Sequence, residues 1–108
     1  LYNIMLINKD LITAKTEEEI REQVISQLRE KGYIIVSSAN EARENLAYNS
    51  DRDTTEVELE EDGNSFSVEV KNEDEKGYYT ETFKVVVTAY YEDAGSNDYF
   101  YQVKVTEL

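Results

Sequence analysis

In the second half of the chain the apolar residues fall on every second position. Phe66, Val68 and Val70 keep that period, as do Phe83, Val85, Val87 and Ala89, and then Tyr99, Tyr101, Val103 and Val105. A period of two sends successive side chains to opposite faces, so each run is a strand with one dry face. Turn chemistry links the runs. Asp62-Gly63 predicts a two-residue hairpin, which sets Leu59 against Phe66, Val57 against Val68 and Thr55 against Val70. A turn centred on Lys76-Gly77 sets Val70 against Phe83, Val68 against Val85 and Phe66 against Val87. The longer Glu92–Asp98 loop sets Tyr91 against Tyr99, Ala89 against Tyr101, Val87 against Val103 and Val85 against Val105. All of these pairs fall on one face, as a consistent register requires. The second half therefore reads as an antiparallel meander.

The first half carries helix signals. Thr16-Glu17-Glu18-Glu19 is a capping box, and the acids of that turn suit the positive end of a helix. Ile20, Val24, Ile25 and Leu28 recur at helical spacing, and Gly32 stands where a C-cap glycine belongs. The prediction is a helix over residues 17–31, laid on the apolar face of the sheet. Tyr2–Ile7 and Tyr33–Val36 are apolar and rich in β-branched residues, which predicts two short strands. Ser38-Ala39-Asn40-Glu41 repeats the capping box, and Ala42 with Leu46 gives a thin stripe for a short helix over 39–48.

The expected fold class is α+β: a four- to five-stranded antiparallel meander with one long helix packed on one face. At 108 residues this suits one domain. Strand, long helix, then meander resembles the cystatin-like order of elements. The Gln-x-Val-x-Gly motif by which that family binds proteases is absent, so the resemblance extends to layout and implies no protease inhibition.

The formal net charge is -13, from 24 acids and 11 bases. Alternation sends Glu56, Glu58, Glu60 and Glu69 to the outer sheet face with Lys71, Lys84 and Lys104, and Glu69 is expected opposite Lys84. That face is nearly balanced, a wet surface rather than a site. The excess collects in turns. In the meander, Glu60, Glu61, Asp62, Glu92, Asp93 and Asp98 share one end of the sheet, with no base near them in sequence. Tyr90 and Phe100 flank that end, opposite one another and on the outer face, as a cross-strand aromatic pair or an anchor beside an acidic rim.

Several chemistries are excluded or poorly supported. There is no His, Cys, Trp or Pro, so nucleophile–base pairs that need His or Cys do not arise. Asn49-x-Asp51-x-Asp53 with Glu60 partly fits a calcium loop, but Thr54 stands where the sharp turn needs Gly. Asp93, Asn97 and Asp98 form a looser set of oxygen ligands, and acid-rich loops without a metal are far commoner. The four glycines are isolated, so no phosphate-cradling loop exists. No catalytic, cofactor or metal site is expected.

Strong negative charge disfavours nucleic acid and anionic lipid and favours a basic protein surface. The expected function is a small, acidic, non-catalytic binding protein that occludes such a surface, in the manner of nuclease inhibitors, DNA mimics or immunity proteins. Its contact residues would be Glu61, Asp62, Tyr90, Glu92, Asp93, Asp98 and Phe100. The alternative is an interaction or structural module of a larger bacterial surface or phage protein. The Leu1 start fits a trimmed initiator or a piece of a longer chain. A cytoplasmic location is expected for the first reading, and a cell-surface one for the second.

Overall fold

Thr16 opens the long helix as its capping box predicts. In the computed structural model, which describes residues 6–50, 57–93, 95 and 98–108, helix α1 spans Glu17–Glu30. The Thr16 hydroxyl accepts the Glu19 backbone N–H at 3.2 Å. At the other end Gly32 adopts φ 86°. Its N–H donates to the Arg29 carbonyl at 2.9 Å, and the Tyr33 N–H donates to the Leu28 carbonyl at 3.1 Å. This pair of bonds closes the orphan carbonyls and turns the chain back on itself. The stripe Ile20, Val24, Ile25 and Leu28 is fully buried.

The segment before α1 is tied down by two glutamines of the helix. Gln27 accepts from the Asn8 N–H at 2.7 Å and donates to its carbonyl at 3.0 Å. Gln23 accepts from the Thr13 and Ala14 N–H groups at 2.9 and 3.2 Å. Between them Lys9–Leu11 forms one 3-10 turn. Of the strand expected over Tyr2–Ile7, residues 1–5 lie outside the described ones. Leu6 and Ile7 form a bend, and Ile7 is buried in the core.

After α1 come strand β1 (Ile34–Ile35), helix α2 (Ala39–Ser50), and strands β2 (Glu60–Asp74), β3 (Gly77–Tyr91) and β4 (Phe100–Glu107). The four strands lie in the order β1-β4-β3-β2. β1 runs parallel to β4, pairing Ile34 with Phe100 and Ile35 with Tyr101. The sheet is therefore mixed, not the purely antiparallel meander expected. The pairing joins segments more than sixty residues apart, and no turn residue signals it.

Asp62-Gly63 does not turn the chain as expected. No hairpin forms there, and β2 runs straight through, pairing Asp62 with Ala89 and Gly63 with Thr88. Gly63 is not among the glycines of positive φ, which the hairpin turn would need. A turn at that point would leave the last four rungs of β3 without this neighbour. Passing through it, β2 pairs with all 15 residues of β3. The expected partners Leu59–Phe66 and Val57–Val68 do not meet across a ladder, and Thr55 lies outside the described residues. Val57 instead helps build a second core.

The β2–β3 register is shifted by two residues from the one expected. Glu75 and Lys76 make the turn, and Gly77 at φ 122° closes it. Asp74 supports it by accepting from the Lys76 N–H at 2.8 Å. Phe66 thus faces Val85, Val68 faces Phe83, and Val70 faces Glu81. Likewise Glu69 faces Thr82 and Ser67 faces Lys84, so Glu69 and Lys84 are not directly opposed. An even slip changes partners but preserves faces. Val68, Val70, Phe83, Val85 and Val87 are buried under α1 as expected. The β3–β4 pairs Val85–Val105, Val87–Val103 and Ala89–Tyr101 form as predicted.

The sheet has a helix on each face. α1 covers the face bearing Val85, Val87 and Val103. On the other face Ala42, Leu46 and Ala47 of α2 form a smaller core with Val36, Val57, Tyr90 and Phe100. β4 pairs with β3 only as far as Phe83–Glu107, so the rungs from Val70–Glu81 to Asp74–Gly77 project as a two-stranded arm. The molecule is accordingly long, 58 × 28 × 21 Å.

Candidate functional site

The acid-rich end survives the corrections to the fold, with different neighbours. β2 begins where β3 ends, so Glu60 pairs with Tyr91, Glu61 with Tyr90 and Asp62 with Ala89. Glu92 and Asp93 follow β3 directly, and Asp98 leads into β4. Glu60, Glu61, Asp62, Asp93 and Asp98 are exposed, and Glu92 is half-buried. No Lys or Arg falls between Asp53 and Val70 or between Val85 and Val103, the two segments that meet at this end.

Tyr90 and Phe100 face one another across β3 and β4, as expected. They do not face solvent. Tyr90 is 5% and Phe100 1% exposed, beneath α2. The Tyr90 hydroxyl donates to Gln102 Oε1 at 3.0 Å, and Gln102 Nε2 donates to the Ser37 carbonyl at 2.7 Å. That relay ties the sheet to the residues before α2. It satisfies a hydroxyl that burial would otherwise leave unpaired. Neither residue is an accessible anchor. Nothing in the sequence fixes which face the thin stripe of α2 will cover, so the outward assignment of this pair fails.

At this end of the sheet the partly accessible aromatics are tyrosines on the face of α1. Tyr33 packs edge-on against Tyr101, with ring centroids 4.6 Å apart, and lies 6.3 Å from Tyr99. Tyr91 and Tyr99 are 5.5 Å apart. Tyr101 is buried, while Tyr33, Tyr91 and Tyr99 are half-buried. The sequence pattern assigns Tyr91, Tyr99 and Tyr101 to this face but passes over Tyr33. Its signal is its place after Gly32, where the cap motif turns an apolar residue back against the helix.

The tyrosines and acids sense one another. Burial, then Asp62 and Glu60, raise the Tyr91 hydroxyl above its ordinary pKa. Burial, then Tyr33, raise Tyr101. Burial, then Glu61, raise Tyr90. In each case the neutral phenol is favoured, so at neutral pH none of these groups acts as a base. Among the described residues no three acidic side chains converge closely enough to hold a metal ion. The calcium-loop residues Asp51 and Asp53, and Asn97 of the looser set, lie outside the described ones. Elsewhere, a shallow depression on α1 is lined by Glu22, Gln23, Ser26, Arg29 and Glu30, a mixture of both signs.

No family model matches this chain, and no curated protein or solved structure matches it. Among the described residues no helix is long and apolar enough to cross a membrane.

Proposed function

We propose that this is a small, acidic, non-catalytic protein that binds and occludes a basic protein surface, with the acid and tyrosine end as its contact. The observation that carries this reading is the meeting of two base-free segments at one end of the sheet. Six carboxylates there stand beside half-buried tyrosines. The field of these carboxylates steers the approach of a cationic partner. Glu60, Glu61, Asp62, Glu92, Asp93 and Asp98 form the rim, and Tyr91 and Tyr99 supply contact area in place of Tyr90 and Phe100. A nuclease inhibitor, DNA mimic or immunity-like protein would use such an end. The cystatin-like order of elements enters as layout alone: a helix laid against a sheet leaves strand ends and loops free for a partner.

The test begins with capture of a partner from a host lysate at low and at physiological salt. Charge reversal at Asp93 and Asp98 should slow association with that partner and flatten its salt dependence, because rim charges act mainly on the encounter. A captured partner whose association rate and salt slope ignore both reversals rules this end out. The alternative, an interaction module of a larger surface or phage protein, is supported by one feature, the projecting arm with Tyr78 69% and Tyr79 42% exposed.

A further inference from the structure

Strand alternation places Glu60 and Asp62 of β2 on the same face as Ala89 and Tyr91 of β3 and Tyr101 of β4. The buried stripe of α1 ends at Leu28, and Gly32 at φ 86° turns the chain back beyond it. There the half-buried rings of Tyr91 and Tyr99 form a shelf, with the exposed Glu60 and Asp62 along one side. In the rung Asp62–Ala89–Tyr101 the middle residue carries only a methyl group. Asp62 is accordingly one of the charges that raise the Tyr101 hydroxyl, after burial and its tyrosine neighbours.

Resting on the reading above, we propose that this shelf selects arginine: a partner's guanidinium stacks on Tyr91 and Tyr99 while Glu60 and Asp62 accept its N–H donors. A guanidinium is planar, weakly hydrated and forked, so one group satisfies ring faces and carboxylates together. An ammonium can also sit over a tyrosine face, as Lys71 does over Tyr78 at 4.7 Å, but as a compact, strongly hydrated charge it gains less and lacks the planar fork. A neutral sugar also stacks on tyrosine, but it leaves the crowded carboxylates uncompensated. Charge complementarity therefore favours the cation.

Calorimetry with octa-arginine and octa-lysine peptides at physiological salt tests this. Octa-arginine should bind about tenfold tighter than octa-lysine, the scale of a partly desolvated cation–π contact. Tyr91→Leu should bring the ratio close to one while changing octa-lysine affinity far less. Glu60→Gln, at an exposed position, should weaken both peptides without threatening the fold, and Glu73→Gln on the arm should change neither. Amide shifts induced by octa-arginine in the unmutated protein should centre on Tyr91 and Tyr99. Equal affinity for the two peptides overturns arginine selection and leaves the occlusion of a basic surface standing. Failure of both peptides to bind overturns both readings. An arginine preference that persists in Tyr91→Leu and Tyr99→Leu, or binding of neutral maltohexaose at these amides, also overturns the proposal.

Discussion

Phe100 shows what one side chain decides. With 1% of its surface exposed, it fills the small core between the sheet and α2. Phe100→Ala should destabilise the protein by about 3–5 kcal/mol, the usual cost of emptying an aromatic site. Chemical denaturation measures this directly; a loss below 1 kcal/mol would mean that α2 does not cover the residue. Glu41 acts at the same scale through its charge. Its carboxylate accepts the Ser37 N–H and O–H, each at 2.6 Å. These bonds hold its pKa below the ordinary 4.5. The folded value is depressed, so the stabilisation is present above the ordinary value and lost as pH falls through the folded one. Acid should therefore loosen the start of α2 below about pH 4.5, and Glu41→Gln should flatten that response. A carboxyl carbon titration by NMR locates the midpoint, and a Glu41 midpoint above 4.5 would contradict the capping geometry.

At the scale of elements, two glycines that look alike in sequence behave differently. Gly63 sits inside β2, without positive φ and with open space around its Cα. Gly77 closes a turn at φ 122°. Gly63→Thr should be neutral or stabilise by up to about 1 kcal/mol, since a strand gains from a β-branched residue. Gly77→Ala should destabilise by about 1–3 kcal/mol, because an L side chain strains that backbone. Thermal melts of the two variants compare them, and the reverse ranking would restore the turn to Asp62-Gly63. α1 was legible to within a residue because its cap, stripe and closing glycine are local and agree. From Phe66 onward the buried face of the sheet was legible because alternation survives an even slip; before Gly63 the missing turn reverses the faces, so Val57 and Leu59 pack under α2 and Glu60 joins Tyr91 on the α1 face. The β2 path was not, because Asp-Gly is a turn signal that a long partner strand overrides. The parallel β1–β4 pair and the docking of α2 depend on distant contacts, which carry no local mark. The candidate site divides along the same line: the acids still gather where β2 begins and β3 ends, but Asp62 lies within a strand and Glu60 shares the face of Tyr91 instead of the outer one, and Tyr90 and Phe100 are covered by α2.

For the molecule as a whole, an excess of thirteen negative charges outweighs local pairing. Arg21 and Glu22 meet at 3.7 Å on the surface, the kind of exposed pair that contributes little. Self-repulsion should dominate, so raising salt from about 10 mM to 150 mM, where the Debye length falls from about 30 to 8 Å, should raise the melting temperature. A fall over that range would show that attractive ion pairs outweigh repulsion. The arm has a different consequence. Strands of 15 residues reach about 50 Å, so β2 and β3 run along the 58 Å axis of the molecule. Such a body spins about its length faster than it tumbles end over end. Ladder N–H bonds point across the strands, so both rotations reorient them. In nitrogen-15 relaxation, β2 and β3 amides should show lower R2/R1 ratios than rigid amides whose bonds lie along the axis.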